Sequence, residues 1–389
     1  MKYDFDTVYD RKHTGSMKWS VPEGTIPMWV ADMDFKTAPE ITEALKKRAE
    51  HGIFGYTEIS DDWYDAYIGW WERRHGFKMN PYRLMFCTGV VAAISSIVRK
   101  LTTPNENVLI QTPVYNIFFN SIVNNGCRVL ENKLIYKDGE YNVDFEDLEA
   151  KLSDPQTTLM ILCNPHNPIG KIWDKETLSR IGNLCKENKV TVISDEIHCD
   201  VTVPGKSYIP FASVSEICRD ISITCISPTK TFNLAGLQTA AIYVPDRFLH
   251  HKVWRGINTD EVAEPNCFAA LAPIAAFNEG EAWADEMNSY VAENRKTAED
   301  FLSKNVPFVK TVKGEATYLL WIDISAAGNS DFVSKYLKNN SGLKITSGTE
   351  YGSNGEGFVR MNLACPRILL MEGLKRFGEG LNTMYKLKT

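Results

Sequence analysis

Between residues 84 and 244, short apolar runs alternate with amphipathic stretches, and this alternation restricts the fold more than any other feature of the chain. The runs are "LMFCT" (84–88), "NVLIQ" (107–111), "CRVLENKLI" (127–135), "TLMILCN" (158–164), "VTVIS" (190–194), "SITCIS" (222–227) and "TAAIYV" (239–244). Several are rich in β-formers and bounded by Pro, Gly, Asn or Asp, which marks them as strands. Helices are predicted between them over 89–101, 115–125 and 174–188. The last opens at Asp174 and carries Leu178, Ile181 and Leu184-Cys185 at helical spacing. Strands and helices in alternation predict an α/β fold, with a mostly parallel sheet covered by helices on both faces.

After about residue 275 the pattern changes. A long helix is predicted through "EAWADEMNSYVAENRKTAEDFLSKN", followed by strand-like "TYLLWID" and "FVRMNLA" and a final amphipathic helix from about 366. The expected organisation is an N-terminal segment, 1–45, packed with a small α+β domain over 276–389, and a large domain over 46–275. A net charge of −6 gives no general attraction to nucleic acid or an anionic membrane. No run of eighteen apolar residues exists, and "MKYDFDTVYDRKHTGS" has no apolar core of a signal peptide, so a cytoplasmic protein is expected. The nine cysteines include no C-x-x-C pair. Cys87, Cys163, Cys199 and Cys225 fall in or beside apolar runs and read as reduced core thiols, with no metal site expected.

In an open α/β sheet, ligands lie beyond the carboxyl ends of the strands. Here those ends differ in kind: Thr88-Gly89 opens a helix, "NPHNPIG" carries Asn167, "SDEIH" carries Asp195 and His198, and "SPTK" carries Lys230. Each alone has an ordinary structural reading: a loop lysine, a helix-capping acid, a core histidine. Together at one sheet edge they describe a site. A desolvated Asp195 needs a positive partner, such as a protonated pyridine nitrogen. A buried Lys230 has a lowered pKa and can condense with an aldehyde. Bare N–H groups at Gly89, Val90 and Val91 favour a phosphate, and Asn167 can meet a ring hydroxyl. Lysine, pyridinium partner and phosphate cradle point to pyridoxal 5′-phosphate.

The ordered motifs "TPVY", "NPHNPIGK", "SDEIH", "SPTKTFNLAG" and "VRMNLACPR" resemble the fold-type I pyridoxal-phosphate enzymes of the class I and II aminotransferase superfamily. With "IPMWVADMDF" (26–35) and "GYTEISDDW" (55–63), the chain more narrowly resembles the cystathionine β-lyase-like (PatB/MalY-type) C–S lyases. The resemblance spans nearly the whole chain. It implies Lys230 as the lysine that binds the cofactor covalently, Asp195 as partner of the pyridine nitrogen and Asn167 as partner of the ring 3′-oxygen. It further implies Tyr115 stacked on the pyridine, phosphate contacts from Gly89, Val90, Val91 and Ser227, and Arg360 on the substrate carboxylate. Tyr56 is implied to reach the phosphate of a neighbouring subunit, and hence a homodimer. Two positions depart from the aminotransferase pattern: Gln238 stands where a phosphate-binding arginine is common, and His198 where a tyrosine is common. Both resemble the lyase branch.

The expected activity is cleavage of L-cystathionine or a related L-cysteine S-conjugate, with an aminotransferase as the nearest rival. A binding or regulatory protein on the same fold is the more distant one. Arg367 of "CPR" reads as a helix-start surface arginine, and "GTEYGSNGEG" (348–357) as turns rather than a phosphate loop.

Overall fold

The computed structural model describes residues 2–386. The apolar runs form a seven-stranded sheet: β1 (Leu84–Cys87), β2 (Asn107–Thr112), β3 (Arg128–Lys133), β4 (Thr157–Cys163), β5 (Thr191–Asp195), β6 (Ser222–Ile226) and β7 (Ala240–Tyr243). Their order is β1-β7-β6-β5-β4-β2-β3. β2 to β6 pair parallel, whereas β7 runs antiparallel to both neighbours. The run 127–135 stops as a strand at Lys133, at the sheet edge, and Ile135–Lys137 pairs instead with Glu140–Asn142 in a separate hairpin. The helix expected over 115–125 is shorter, Ile117–Val123.

The inner strands are largely apolar because both faces are covered, whereas the edge strand β3 carries Arg128, Glu131 and Lys133; successive side chains of the inner strands divide between two cores. Ile110, Ile161, Ile193 and Ile223 pack with Ala93, Ile94 and Ile97 of the Val90–Leu101 helix. Leu109, Met160, Leu162 and Val192 pack with Leu178, Ile181 and Cys185 of the Lys175–Glu187 helix. That helix starts as its sequence predicts, with the Asp174 carboxylate accepting from Thr177 N–H at 2.7 Å. Burying one such aliphatic side chain contributes about 1.5–3 kcal/mol, so these two layers fix the sheet against which the site is built. A third cluster joins Trp63, Tyr67, Trp70 and Trp71 of the Asp61–His75 helix to Phe277 and Trp283.

The C-terminal region folds on a four-stranded antiparallel sheet of β8 (Lys310–Thr311), β9 (Leu319–Asp323), β10 (Thr346–Ser347) and β11 (Phe358–Asn362), in the order β8-β9-β11-β10. The Arg367–Lys386 helix covers it through Leu370, Leu374 and Phe377. The segment before residue 46 divides its contacts. Ile26–Pro27 pairs with Leu343–Lys344 and Met28 enters the C-terminal core, whereas Phe5, Met33 and Phe35 join the aromatic cluster. Asn362 clamps the stretch between them, donating to the carbonyls of Val30 and Asp32 at 2.6 Å each. Among the described residues no helix is long and apolar enough to cross a membrane.

Candidate active site

The carboxyl ends of β1, β4, β5 and β6 converge on one cavity of about 190 Å³. Gly89, Val90, Val91, Tyr115, Asn167, Asp195, His198 and Lys230 all line it. They are separated by up to 141 positions in the chain and meet because parallel strands deliver their ends to one edge.

Asp195 is the last residue of β5 and 4% exposed. One carboxylate oxygen accepts from Ile197 N–H at 3.1 Å. Burial raises its pKa from 3.8 to about 7, against smaller lowering effects from that hydrogen bond and the Lys230 charge. Such an acid is held in a place built for a cationic partner. Lys230 follows β6, and its Nζ donates to Ala31 O at 2.6 Å. Burial and the nearby Arg360 charge lower its pKa from 10.5 to about 8, with Asp32 and Asp195 opposing. A usable fraction of the amine is therefore neutral near physiological pH.

His198 is buried, its Nδ1 has no hydrogen-bond partner, and its ring meets Tyr318 edge-on at 6.0 Å. Burial, then the charges of Lys230 and Arg360, hold its pKa well below 6.5, so it is neutral. Tyr115, after β2, packs edge-on against Phe118 and borders the cavity. Its pKa is raised by burial.

Arg360, on β11, reaches in from the opposite lobe. Its Nη1 donates to Asn167 Oδ1 at 3.1 Å and its Nη2 to Trp29 O at 2.8 Å. Nε is buried without a partner, and the guanidinium lies 5.0 Å from the Tyr351 ring centre. The Asn167 loop is fastened to that lobe at Gly170, whose carbonyl accepts from Glu315 and Ala316 N–H. Gly170 has φ +69°, and a Cβ there would stand 2.8 Å from Ala316 O, so only glycine fits.

One expected residue, Ser227, is placed differently; neither Tyr56 nor Arg367 is expected in the cavity of its own chain. Ser227 does not line the cavity: its hydroxyl donates to Thr239 O at 2.6 Å and pairs with Thr229 Oγ1 at 2.8 Å, and it is Thr229 that borders the space. Tyr56 is fully exposed and is not brought to the cavity of its own chain. Arg367 lies away from it, bound to Asn294, Thr297 and Glu293 of the Glu281–Asn305 helix. Sequence reasoning missed the Trp29 and Ala31 carbonyls, and also Thr229 and Tyr318. "IPMWVADMDF" was a signal for the first two, although a backbone acceptor has no residue type of its own. It also missed a buried brace in which Asp200 accepts from Trp70 Nε1 and pairs with His75 Nε2 at 3.0 Å, beside Cys199. The ligand-type atoms of His75, Cys199 and Asp200 lie within 4.8 Å of one another.

The class I and II aminotransferase family model matches residues 25–377. The chain belongs to that family. Cystathionine beta-lyase PatB of Bacillus subtilis (strain 168) is 46% identical, over 97% of this chain and 100% of that protein. Cystalysin from Treponema denticola, whose crystal structure contains pyridoxal 5′-phosphate, superposes with a TM-score of 0.95 at 32% identity, covering 98% of this chain and 100% of that one. The pyridoxal-phosphate-bound C–S lyase from Staphylococcus hominis superposes with a TM-score of 0.92 at 35% identity, over 98% of each chain. The architecture is the fold-type I one of this family, and the cofactor is pyridoxal 5′-phosphate. The residues present fit it. Asp195 is a buried acid without an ion-pair partner among the described residues, Lys230 is an amine with a lowered pKa, and His198 and Arg360 hold buried nitrogens without partners. At the first turn of the Val90–Leu101 helix the N–H groups have no intrahelical acceptor, and a Cβ built on Gly89 meets nothing within 4 Å.

Proposed function

We propose that the protein is a pyridoxal-phosphate-dependent carbon–sulfur β-lyase that cleaves L-cystathionine or a related L-cysteine S-conjugate to a thiol, pyruvate and ammonia. The observation that carries this reading is one cavity faced by a lysine of lowered pKa and a buried acid, with an arginine that keeps an open donor bound to the cavity residue Asn167, in a chain 46% identical to a cystathionine beta-lyase.

Bound pyridoxal phosphate supplies an electron sink conjugated with the substrate's amino group. Each residue has a separable task. Gly89, Val90 and Val91 present helix N-terminal N–H groups to the phosphate, with the Thr229 hydroxyl, oriented by Ser227, beside them. Asp195 holds the proton on the pyridine nitrogen, and Tyr115 covers one ring face. Asn167 uses Oδ1 to hold Arg360, which leaves its Nδ2 to donate to the ring 3′-oxygen. His198, neutral and with Nδ1 unpartnered, borders the ring and adds no charge. Arg360, held by Asn167 and Trp29, directs its free Nε–H to the α-carboxylate and fixes the Cα–H bond toward Lys230. Lys230, as the neutral amine, accepts the Cα proton at Nζ. The Cβ–S bond then breaks with its electron pair going to sulfur. The three-carbon remainder takes up water and leaves as pyruvate and ammonia.

Tyr56, exposed in one chain, is assigned to the phosphate of a second copy, which makes the working unit a homodimer; a cytoplasmic location accompanies this reading. The test is to incubate the purified protein with L-cystathionine, with and without a 2-oxo acid acceptor. Pyruvate and thiol released in equal amounts without acceptor are expected. Product formation that requires the acceptor would replace the lyase with a transaminase.

A further inference from the structure

The segment 31–35 lies against Lys230, which donates to its Ala31 carbonyl, and beyond that bond its attachment to the lysine's own loop runs through the side chain of Asn233. Asn233, three residues after Lys230, accepts from Met33 N–H through Oδ1 at 3.0 Å, and its Nδ2 donates to the carbonyls of Met33 and Phe35, both at 3.0 Å. It does so from a left-handed backbone, φ +57°, which asparagine tolerates better than most residues and which turns its amide back toward the strap. The carbonyl two residues before Met33, that of Ala31, receives the Lys230 amine at 2.6 Å and the Tyr318 hydroxyl at 2.9 Å. On its outer side the strap is held by Asn362 and by Asp34, which pairs with Lys18 and Arg11. Those contacts fix it to the N-terminal segment and the C-terminal lobe, not to the lysine.

We propose that Asn233 is a positioning residue for proton transfer: it locks the 31–35 strap to the Lys230 loop, so that the Ala31 carbonyl holds the free lysine amine in one orientation. The inference rests on Lys230 being the group that accepts the Cα proton. An amine that donates one N–H to a fixed carbonyl has its lone pair directed, whereas an untethered lysine side chain samples several rotamers. Tyr318 keeps that carbonyl fixed from the other side. The residue that sets the geometry of the base therefore stands outside the cavity lining.

Asn233→Gly removes all three hydrogen bonds while accommodating the positive φ, which separates the side chain's contribution from backbone strain. Two measurements on the holoenzyme decide the matter. Amide hydrogen exchange over residues 31–35 should accelerate, at Met33 above all. The deuterium isotope effect on turnover of α-deuterated cystathionine should increase, while kcat falls roughly tenfold and KM stays within about twofold, because misplacement of a reacting group by about 1 Å is costly. Asn233→Asp keeps the acceptor for Met33 N–H and should lie between the two; it also serves as the test variant if the glycine protein does not fold. Unchanged exchange would overturn the clamp, and faster exchange with an unchanged isotope effect would reduce Asn233 to a structural residue. Hydrogen exchange does not depend on which reaction follows, and lyase and transaminase break the same Cα–H bond. Failure of this inference is therefore distinguishable from failure of the lyase reading, and retained exchange of the Cα hydrogen with solvent in Lys230→Ala would instead show that Lys230 is not the base.

Discussion

Asp195 ends β5 with Ile197 N–H on one carboxylate oxygen and no ion-pair partner among the described residues, which is why burial carries its pKa to about 7. The consequence for stability has a definite sign. Between about pH 4 and 7 the folded, cofactor-free protein binds this proton while the unfolded chain does not, so stability falls as pH rises through that window, and the full penalty persists above it. Asp195→Asn escapes the penalty. The cofactor-free variant should melt above wild type at pH 8, by up to about 4 kcal/mol, with a gap that shrinks toward pH 5. The amide cannot hold the pyridine proton, so the loaded variant should lose turnover by roughly 10²–10³-fold, the range seen when one electrostatic stabiliser is removed. A melting gap that does not grow with pH would mean that the carboxylate is not buried in this way. Lys230→Ala should abolish pyruvate release and the covalent attachment of the cofactor, read as loss of the yellow chromophore after dialysis; residual lyase activity near wild type would sink the mechanism.

At the scale of elements, the site is a set of strand ends. The apolar runs, their lengths and the polar residues that stop them were legible because a strand buried on both faces has no room for other residue types. β1, β2 and β4–β7 lie within a residue or two of their expected bounds, and Lys230, Asp195 and Asn167 stand at ends of parallel strands. The wall opposite was less legible. It includes the main-chain carbonyl of Ala31, while that of Trp29 holds Arg360, and any residue can supply a carbonyl. Ser227 illustrates the same limit: the motif names two hydroxyls, and only the fold shows that Thr229 faces the space while Ser227 turns to Thr239. The two arginines near the C-terminal strands divide by element. Arg360 sits within β11 and points across the cleft, whereas Arg367 opens a helix and is taken up by Asn294 and Thr297. Arg360→Ala should lower kcat/KM on the order of 10²-fold, if about 3 kcal/mol of charged hydrogen bonding is lost, and Arg367→Ala should do much less. The Arg360 charge also holds the Lys230 pKa down. Removing that charge favours the ammonium form, so in cofactor-free Arg360→Gln the Lys230 amine should titrate at higher pH than in wild type, measured by pH-dependent amine labelling and peptide mass spectrometry. A critical Arg367 with a dispensable Arg360 would require the substrate end of the cleft to be redrawn.

For the whole molecule the question is completeness, because the role proposed for Tyr56 requires a second copy of the chain. The stretch from Gly52 to Ser60 has no regular secondary structure and links the Pro39–Glu50 and Asp61–His75 helices. It exposes Ile53, Phe54 and Tyr56, with Tyr56 fully accessible. Three large apolar or aromatic side chains in solvent on one short loop are costly unless something covers them, and a second copy of the chain related by a two-fold axis is the simplest cover. If Tyr56 serves the partner's phosphate, each site draws Lys230 from one subunit and Tyr56 from the other. Lys230→Ala and Tyr56→Ala proteins, each impaired alone, should then complement when mixed under conditions that allow subunit exchange. A hybrid dimer has one site with neither group and one site with both. Random exchange of equal amounts makes half the dimers hybrids, so recovery should approach about a quarter of wild-type activity for two-fold dimers. If Tyr56 instead acted within its own chain, the hybrid would hold one site lacking lysine and one lacking tyrosine, and mixing would restore nothing. The same null result would follow if the active species sedimented as a monomer, so the mixture should be run in the ultracentrifuge alongside the assay. A dimer that fails to complement excludes the shared site, and a fully active monomer excludes the assembly.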